Sequence, residues 1–505
     1  MPYSSIVRLV ARSTLLLIVC SAVPLLAQTG RYEAVSVNRS GEGGRSITLQ
    51  RSYPLTSSGV LNGAPDGPMI LATSEQSQSI EPAVAALADG SLLLATVIPG
   101  RDSLQSSDIR LRWIDSLGVD RWSDSLGAGI DVARSRYIER RPFIFPLADS
   151  STIIIYQLHY DTTQQGDVDI AAIRVRQDGS RLWSFWIAKT ERQEHIATCL
   201  PGAGGSVLVV YESRTWSGGA LTGSDVLVQQ IDSTGAVGWK DSRNPVVVGG
   251  SKHLEMHPAA AADGSGGAYI AYEIEYTDGD RAGDVDIIAQ HVAWYGSRLW
   301  NDSKTTPYVS SAPSAHEIHP SIAVDQFGIT VGFEVISTAP KKPFNGIGLQ
   351  RLDTTGKRLW NDGKRSTFLV VNGNRATAPT LVAAPYRGIY AVFEAYDSAR
   401  AESNIIAQLY DIDGNGVWNS GNVPILAMSS TDNERSPVAA LDISGGVVIA
   451  AIREPANGSG TTGYSAVVAT MITPDGAVAW TAVPTPVTMI TSTGVKERPI
   501  LLQYR

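Results

Sequence analysis

Cysteine is almost absent from this 505-residue chain, which contains only Cys20 and Cys199. Cys20 lies in an N-terminal segment that we expect to be removed, so the remaining chain can form no intramolecular disulfide and must be stabilised by packing. The sequence also lacks any run of Lys and Arg, and its net charge is −8. An acidic chain without a basic cluster is a poor partner for nucleic-acid phosphate or an anionic membrane surface.

Long apolar segments are missing as well. Near the N-terminus, Arg8 and Arg12 lie before or within an apolar segment that reaches Leu26, and Ala27 follows. A bilayer-spanning helix needs about 20 apolar residues, so this run is too short, whereas a charged start and a small-residue end are typical of a cleaved secretory signal. We therefore predict a signal peptide over residues 1–27, no transmembrane segment, and export to the periplasm or the cell exterior. Lipid attachment at Cys20 is an open alternative.

Internal repetition is what the sequence has in abundance. A Gly four residues before a Trp occurs seven times, and successive Trp residues are 56 to 62 positions apart. Repeats of this kind indicate propellers, solenoids or arrays. A Trp found in every unit is expected to fill the space between adjacent units, and its Gly to occupy a turn with positive φ. The pairs are Gly118/Trp122, Gly179/Trp183, Gly235/Trp239, Gly296/Trp300, Gly356/Trp360, Gly414/Trp418 and Gly476/Trp480.

A proline with the same period is expected to open the first strand of each unit. In the unit that begins at Pro258, apolar stretches at 259–262, 268–273 and 286–292 and a last one near Trp300 are separated by Gly, Asp and Ser turns. Four short strands without a helical period predict an all-β fold, a β-propeller of four-stranded blades in a single domain over residues 28–505. The prolines are Pro82, Pro142, Pro258, Pro320, Pro379, Pro437 and Pro499.

The two ends of the chain supply complementary parts of one blade. Residues 498–505 match only a first strand, whereas residues 32–63 match a second, third and fourth strand. Because unpaired strand edges invite aggregation, we expect the C-terminal strand to join the three N-terminal strands and close the ring. This arrangement predicts about eight blades, with seven as the alternative, and a monomer.

Charged residues precede the proline in most units. If each proline opens an inner strand, these residues surround the mouth of the central channel, where they could bind a polar ligand or act as acids and bases. Residues that recur in most blades also form ion pairs between blades, so a structural role is the alternative. The predicted binding residues of this channel-mouth collar are Glu139, Arg141, His195, Glu255, His257, Glu317, His319, Glu434, Arg435 and Arg498, with Glu81, Glu194 and Glu497 at equivalent positions.

Signals for metals and nucleophiles are weak. Asp411 and Asp413 alternate with other residues as calcium ligands do, but no distal Glu completes an EF-hand, which leaves calcium as a minor alternative to no cofactor. No paired Cys/His spacing indicates zinc, and no Gly-x-Ser-x-Gly elbow indicates a serine hydrolase. Cys199 lies in an apolar strand and is predicted to be buried. Recurring aromatic–Glu pairs are predicted to be structural: Tyr211–Glu212, Tyr272–Glu273, Phe333–Glu334 and Phe393–Glu394.

The repeat resembles those of secreted bacterial β-propeller proteins, many of them of uncharacterised role. The resemblance is carried by Asp167-Val168-Asp169-Ile170, by Asp284-Val285-Asp286-Ile287 and by the turn from Asp353 through Gly356 to Trp360. It implies the propeller architecture and no particular activity. The Asp-box of sialidases is also similar, but its spacing differs and no arginine triad can be assigned here, so sialidase chemistry is not expected.

Because no catalytic constellation is visible, the sequence favours a non-enzymatic exported scaffold that binds a protein or glycan ligand. The alternative is a carbohydrate-active enzyme, a glycoside hydrolase or lyase, that uses carboxylates of the channel-mouth collar.

Overall fold

The computed structural model describes residues 17–18, 32–39, 45–52 and 69–74, and residues 81–300 and 308–501 with short gaps. The chain divides into two compact units: unit 1 contains Met1–Glu75 and Val309–Arg505, and unit 2 contains Gln76–Tyr308. Apart from residues 17–18, the predicted signal segment lies outside the described residues. The gaps are 88, 101–105, 116–118, 125–126, 164–165, 240–241, 313–314, 339–344, 364–366, 370–374, 385–386, 399–400, 420–422, 443, 456–465, 480–486 and 492–494.

The first strands of unit 1 form an antiparallel sheet in the order β1-β2-β3-β4. They are β1 (Leu17–Ile18), β2 (Tyr32–Arg39), β3 (Arg45–Ser52) and β4 (Met69–Ser74).

Unit 2 follows as consecutive groups of four strands, as the repeat predicts. Group A contains β5 (Ala83–Ala86), β6 (Leu92–Pro99), β7 (Ser107–Ile114) and β10 (Ile130–Ala133), with the small hairpin β8 (Ser123–Asp124) and β9 (Gly127–Ala128) before β10. Group B contains β11 (Ile138–Pro146), β12 (Thr152–His159), β13 (Val168–Val175) and β14 (Arg181–Ala188). Group C contains β15 (Gln193–Pro201), β16 (Val207–Ser217), β17 (Ala220–Ile231) and β18 (Val246–Gly249). Group D contains β19 (Leu254–Ala262), β20 (Ala268–Glu275), β21 (Val285–Val292) and β22 (Tyr308–Ser310).

The remainder of unit 1 continues the same pattern in three four-stranded sheets. Group E contains β23 (Ala315–Asp325), β24 (Gly328–Ser337), β25 (Asn345–Asp353) and β26 (Thr367–Leu369). Group F contains β27 (Arg375–Ala384), β28 (Gly388–Asp397), β29 (Glu402–Tyr410) and β30 (Ile425–Met428). Group G contains β31 (Asn433–Leu441), β32 (Val447–Glu454), β33 (Ala466–Ile472) and β34 (Val487–Thr491), and β35 (Val495–Leu501) follows. Single 3-10 turns occur at Ala203–Gly205, Gly279–Arg281 and Trp360–Gly363.

The last strand pairs with the first complete strand of the chain. β35 runs antiparallel to β2, with Ile500 opposite Val35 and Glu497 opposite Val37. Since β2 also pairs with β3 and β3 with β4, the C-terminal strand joins three N-terminal strands, as the sequence predicted. The fold is an all-β fold of the β-propeller class; the number of eight blades stays a prediction.

Neighbouring groups pack face to face, so most inner strands are buried on both sides. In β12, Ile154 belongs to a cluster with residues of group A, whereas Ile153 and Ile155 belong to a cluster with residues of group C. All three side chains are fully buried. This is why strands such as β12 are near-continuous apolar runs: both of their faces are covered by neighbouring sheets. Cys199 lies in the second cluster and is buried, as predicted.

The repeated Gly and Trp residues join one group to the next. A Cβ on Gly296 would lie 2.5 Å from Cγ of Trp239, and one on Gly414 would lie 2.7 Å from Cδ2 of Trp360. Both predictions for these residues are confirmed: the tryptophans fill the space between groups, and the turn glycines have positive φ. Four indole N–H groups also donate to a backbone carbonyl of the following group: Trp122, Trp183, Trp360 and Trp418. φ is 82–92° at Gly179, Gly235, Gly296, Gly356, Gly414 and Gly476, while Gly118 and Trp480 lie outside the described residues.

The expectation that a proline opens each first strand is wrong for most groups. β11 begins four residues before Pro142 and β19 four residues before Pro258, and each pairs with its neighbour on both sides of the proline. The pre-proline residue makes this continuity possible because it forms a β-bulge with a left-handed backbone. φ is 50° at Arg141, 52° at His257, 55° at His319, 52° at Ala378 and 53° at Ser436.

Candidate functional site

The glutamates of the predicted channel-mouth collar are buried within the first strands. Glu139, Glu194, Glu255, Glu317 and Glu434 are each at most 1% exposed. Their carboxylates accept hydrogen bonds from the preceding loop: Ser251 N–H lies 2.8 Å from Glu255, and Ala312 N–H lies 3.1 Å from Glu317. The collar was predicted on the assumption that these residues precede the strand. Because the bulge extends the strand beyond the proline, they face the interior instead.

Three other collar residues, His257, His319 and Arg435, lie next to carboxylates. His257 Nδ1 lies 2.7 Å from Glu273, and His319 Nδ1 lies 2.9 Å from Glu334. Arg435 lies 3.8 Å from Glu454. The side chains of Glu497 and Arg498 lie outside the described residues, although their backbone forms part of β35.

Three of the four aromatic–Glu pairs connect consecutive groups of one unit, which is the structural role predicted for them. Glu212 accepts the backbone N–H of His257 at 2.7 Å, and Glu334 accepts that of Ala378 at 3.0 Å. In group A the same contact is made by Glu81, which accepts the backbone N–H of Arg141 at 2.6 Å. Each carboxylate therefore satisfies the N–H group that the bulge removes from the strand ladder.

A pocket of 680 Å³ opens in unit 2 at the ends of strands from groups A, B and C. Of the predicted binding residues, His195 alone is among its described lining residues. Two imidazoles, two guanidiniums and an indole line this pocket. The lining therefore offers hydrogen-bond donors, positive charges and an aromatic ring. Its polar and aromatic lining includes Arg140, His159, Asp161, Gln193, His195, Arg214 and Trp216.

A hydrogen-bond network fixes the orientation of His195. Gln193 donates to the carbonyl of Gly166 at 2.6 Å and accepts from the indole N–H of Trp216 at 2.8 Å, so its oxygen must face the pocket. His195 Nε2 lies 3.2 Å from that oxygen and therefore carries the hydrogen. The lone pair of His195 is thus on Nδ1.

Gln157 bridges the two histidines of the pocket. Its amide nitrogen lies 3.3 Å from His195 Nδ1 and 3.4 Å from His159 Nε2. One NH₂ group can donate to both rings, which leaves both as neutral acceptors toward the amide. The ring centroids are 6.1 Å apart. The site therefore presents two adjacent imidazole lone pairs, held by long hydrogen bonds that a bound substrate could replace.

Both imidazoles are neutral at pH 7. Burial, and then the positive charge of Arg140, lower the pKa of His159 to about 4. Burial, and then Arg214, lower the pKa of His195 to about 3. Arg214 is paired with Glu212, whereas no carboxylate among the described residues pairs with Arg140. An anion that entered the pocket would meet this guanidinium and would also favour protonation of the histidines.

Three acidic side chains, Asp167, Asp169 and Glu194, lie close together in groups B and C. Asp169 and Glu194 are buried, and Tyr160 Oη donates to Asp169 at 2.6 Å. Burial raises the pKa of Asp167 and Asp169, and burial together with the charges of these two raises the pKa of Glu194 to about 7. Glu194 also accepts a hydrogen bond from the hydroxyl of Thr190.

Glu194→Gln is expected to stabilise the protein at alkaline pH. The folded state raises the pKa of Glu194 from 4.5 to about 7, so ionisation of this carboxyl destabilises the fold. The penalty is absent below pH 4.5 and grows until the pH passes 7. At pH 8 the free energy of unfolding of the variant should exceed that of the wild type by roughly 3 kcal/mol, and at about pH 3.5, below the unfolded-state pKa, the two should be equal. Denaturant titrations at both pH values measure this, with exposed Glu191→Gln as the control; equal stability at pH 8 would contradict it.

The turn considered for calcium uses its carboxylate internally. Asp411 accepts the backbone N–H groups of Asp413 at 3.0 Å and of Asn415 at 2.8 Å. Within the described ranges, no three His, Cys, Asp or Glu side chains are grouped so as to hold a metal ion. Among the same residues, no helix combines the length and the apolarity needed to cross a membrane.

A departure from the repeat marks the pocket in the sequence. Tyr156–Gln157 occupies in β12 the place that Tyr211–Glu212 occupies in β16, so an amide replaces the recurring carboxylate. The following group also has Ile196 in place of the proline. These departures from the repeat lie beside His159 and His195, which Gln157 contacts.

No protein family and no curated protein matches the chain. Among solved structures, it is similar to an ulvan lyase of polysaccharide lyase family PL25, with 10% identity, a TM-score of 0.40, and coverage of 81% of this chain and 97% of the lyase. An α-L-arabinofuranosidase from Lactobacillus brevis matches with 12% identity and a TM-score of 0.29 over 55% of this chain and 92% of that one. A leech intramolecular trans-sialidase matches with 8% identity and a TM-score of 0.35 over 96% and 94%.

These comparisons correct the functional expectation. The non-enzymatic binding scaffold was the favoured hypothesis, and it is contradicted because the similar structures are carbohydrate-active enzymes. At 8–12% identity and TM-scores of 0.29–0.40, the comparisons transfer no residue roles to this chain.

Proposed function

We propose that the protein is a carbohydrate-active enzyme that cleaves a uronic-acid-containing polysaccharide by elimination in the pocket of unit 2. The observation that carries this proposal is the combination of two neutral imidazoles with Arg140, a guanidinium that has no carboxylate partner among the described residues. Export by the predicted signal peptide would bring the enzyme to such polysaccharides outside the cytoplasm, as in the secreted propeller proteins that its repeat resembles.

The composition of the pocket favours elimination over hydrolysis. Glycoside hydrolysis normally uses two carboxyl groups roughly 5–10 Å apart, one on each side of the scissile bond. Asp161 is the single carboxylate among the described lining residues, and the collar glutamates that were expected to supply such a pair are buried. Elimination instead needs a base for the carbon-bound proton next to a carboxylate and a cation that stabilises the developing charge.

The residues can be assigned to these steps. Arg140 holds the uronate carboxylate, and His159, whose lone-pair nitrogen makes only a 3.4 Å contact with Gln157, removes the proton from C5. The electrons of that C–H bond form the C4=C5 double bond, and the C4–O bond breaks with its electron pair on oxygen. The proton then passes from His159 to the departing oxygen, which leaves the imidazole neutral. His195 is held by hydrogen bonds to Gln157 and Gln193, and it positions the Gln157 amide between the two imidazole rings.

Incubation with polygalacturonate, alginate and ulvan tests the proposal, with neutral arabinan as the reference. Elimination creates a double bond conjugated to a carboxylate, so short-wavelength (far-ultraviolet) absorbance should rise with at least one uronate polymer and not with arabinan. Release of reducing ends without this absorbance would show hydrolysis and contradict the assignment.

A further inference from the structure

A row of aromatic and cationic side chains continues from the pocket across group B. Tyr137 directly precedes Ile138, and Tyr160 directly follows His159; Ile138 and His159 both line the pocket. The rings of Tyr137 and Tyr160 are in contact, with centroids 4.8 Å apart and planes at 67°. The row therefore begins at the rim of the pocket.

Lys189 extends this row to the outer strand. Its Nζ lies 5.9 Å from the ring of Tyr160 and 4.3 Å from the ring of Trp186. Trp186 is in β14, which pairs with β13 and has no second neighbour among the described strands. Although it lies in a strand, its side chain is 41% exposed. Trp186 therefore presents an aromatic face to solvent beside Lys189.

The cations along the row contrast with the charge of the whole chain. Arg136 lies over the ring of Tyr137 at 5.0 Å and donates to its hydroxyl at 2.8 Å. With Lys189 and with Arg140 in the pocket, it places three cations along the row, of which Lys189 also faces the carboxylates of Asp167 and Asp169. Alternating aromatic rings and cations suit a chain of sugar rings with anionic substituents, because the apolar faces of the sugars can stack while their anions meet the cations.

We infer that Arg136, Tyr137, Tyr160, Lys189 and Trp186 form an extended subsite for an anionic polysaccharide whose reacting unit occupies the pocket. This inference rests on the proposed function for the identity of the pocket, and it adds that the substrate is a polymer gripped beyond its cleavage point. The occupant is a glycan rather than a second protein strand on β14, because the row follows the strand ends toward the pocket and is lined by cations.

Gel retardation tests the subsite, with polygalacturonate, alginate or ulvan in the gel matrix. Trp186→Ala and Lys189→Ala should each weaken binding to the polymer bound best by the wild type by roughly fivefold or more. Trp294→Ala is the matched control, since Trp294 is 45% exposed in the same unit and packs on Tyr295. If the Trp186 and Lys189 variants bind all three polymers as the control does, the inference is wrong. If Trp186→Ala changed the oligomeric state measured by sedimentation and left polymer binding unchanged, β14 would be a self-association edge. That result would also overturn the inference.

Turnover in the same preparations separates this inference from the proposed function. Turnover that His159→Ala abolishes, together with unchanged polymer binding by Trp186→Ala, would remove the subsite and leave the enzyme. If Trp186→Ala weakened polymer binding but the wild type cleaved none of the polymers, the result would support the subsite and contradict the proposed reaction.

Discussion

Replacement of His159 by alanine is expected to lower kcat/KM on the cleaved uronate polymer by about 10²–10⁴-fold, the usual loss when a positioned general base is removed. The loss should fall on kcat, because His159 acts on the proton and Arg140 holds the carboxylate. Arg140→Ala should lower kcat and also raise KM. Arg140→Lys should recover part of the lost kcat/KM, because lysine keeps the charge but not the planar pair of donors. Initial rates measured over a range of polymer concentrations provide both parameters.

His253→Ala serves as the control for this prediction. His253 is in the same unit, and its ring packs against Tyr276 rather than lining the pocket. Its replacement should leave kcat and KM unchanged. If His159→Ala kept more than half of the wild-type kcat/KM while folded, His159 could not be the base.

Gly296→Ala is expected to cost far more stability than Gly264→Ala. Both glycines have left-handed backbones, with φ of 87° and 80°, so each substitution incurs about 1–2 kcal/mol of backbone strain. At Gly264 no atom lies within 4 Å of the added Cβ, whereas at Gly296 the ring of Trp239 lies 2.5 Å away. The added overlap should bring the total for Gly296→Ala to roughly 3–5 kcal/mol.

Denaturant unfolding of the two variants measures the difference between their free energies of unfolding. Because both sites share the backbone strain, this difference reports the contact between Trp239 and the next group. Equal losses at the two positions would show that the Trp–Gly contact does not stabilise the stacking of groups.

The fold could be predicted because its determinants repeat. The Gly/Trp spacing, the apolar runs and the complementary chain ends each reflect one packing rule applied many times, and the pairing of β35 with β2 follows from the need to cover a strand edge. The positions of the collar glutamates could not be predicted the same way. A left-handed bulge at residues such as His257 is a tertiary feature, and it moved Glu255 from an expected loop into a buried strand.

The site was difficult to predict for the opposite reason, since it lies where the repeat is broken. His195 was identified as a charged neighbour of the strand start, but His159, Arg140 and Trp216 were not, because each is an isolated residue without a motif. Only the comparison of Gln157 with Glu212 and Glu273 in equivalent strands would have indicated group B. In a repeat protein, the recurring residues mainly hold the units together, so departures such as Gln157 are the better guide to function.

Titration of the pocket histidines by NMR, with and without a short oligouronate, examines the site most directly. The chain has seven histidines, and His159→Gln and His195→Gln variants assign the two signals. The pKa values should be depressed in the free protein, to about 4 for His159 and about 3 for His195, and should rise when the anionic sugar binds next to Arg140. Ordinary values near 6.5 that do not respond to the oligouronate would contradict an anion-binding pocket with neutral imidazoles.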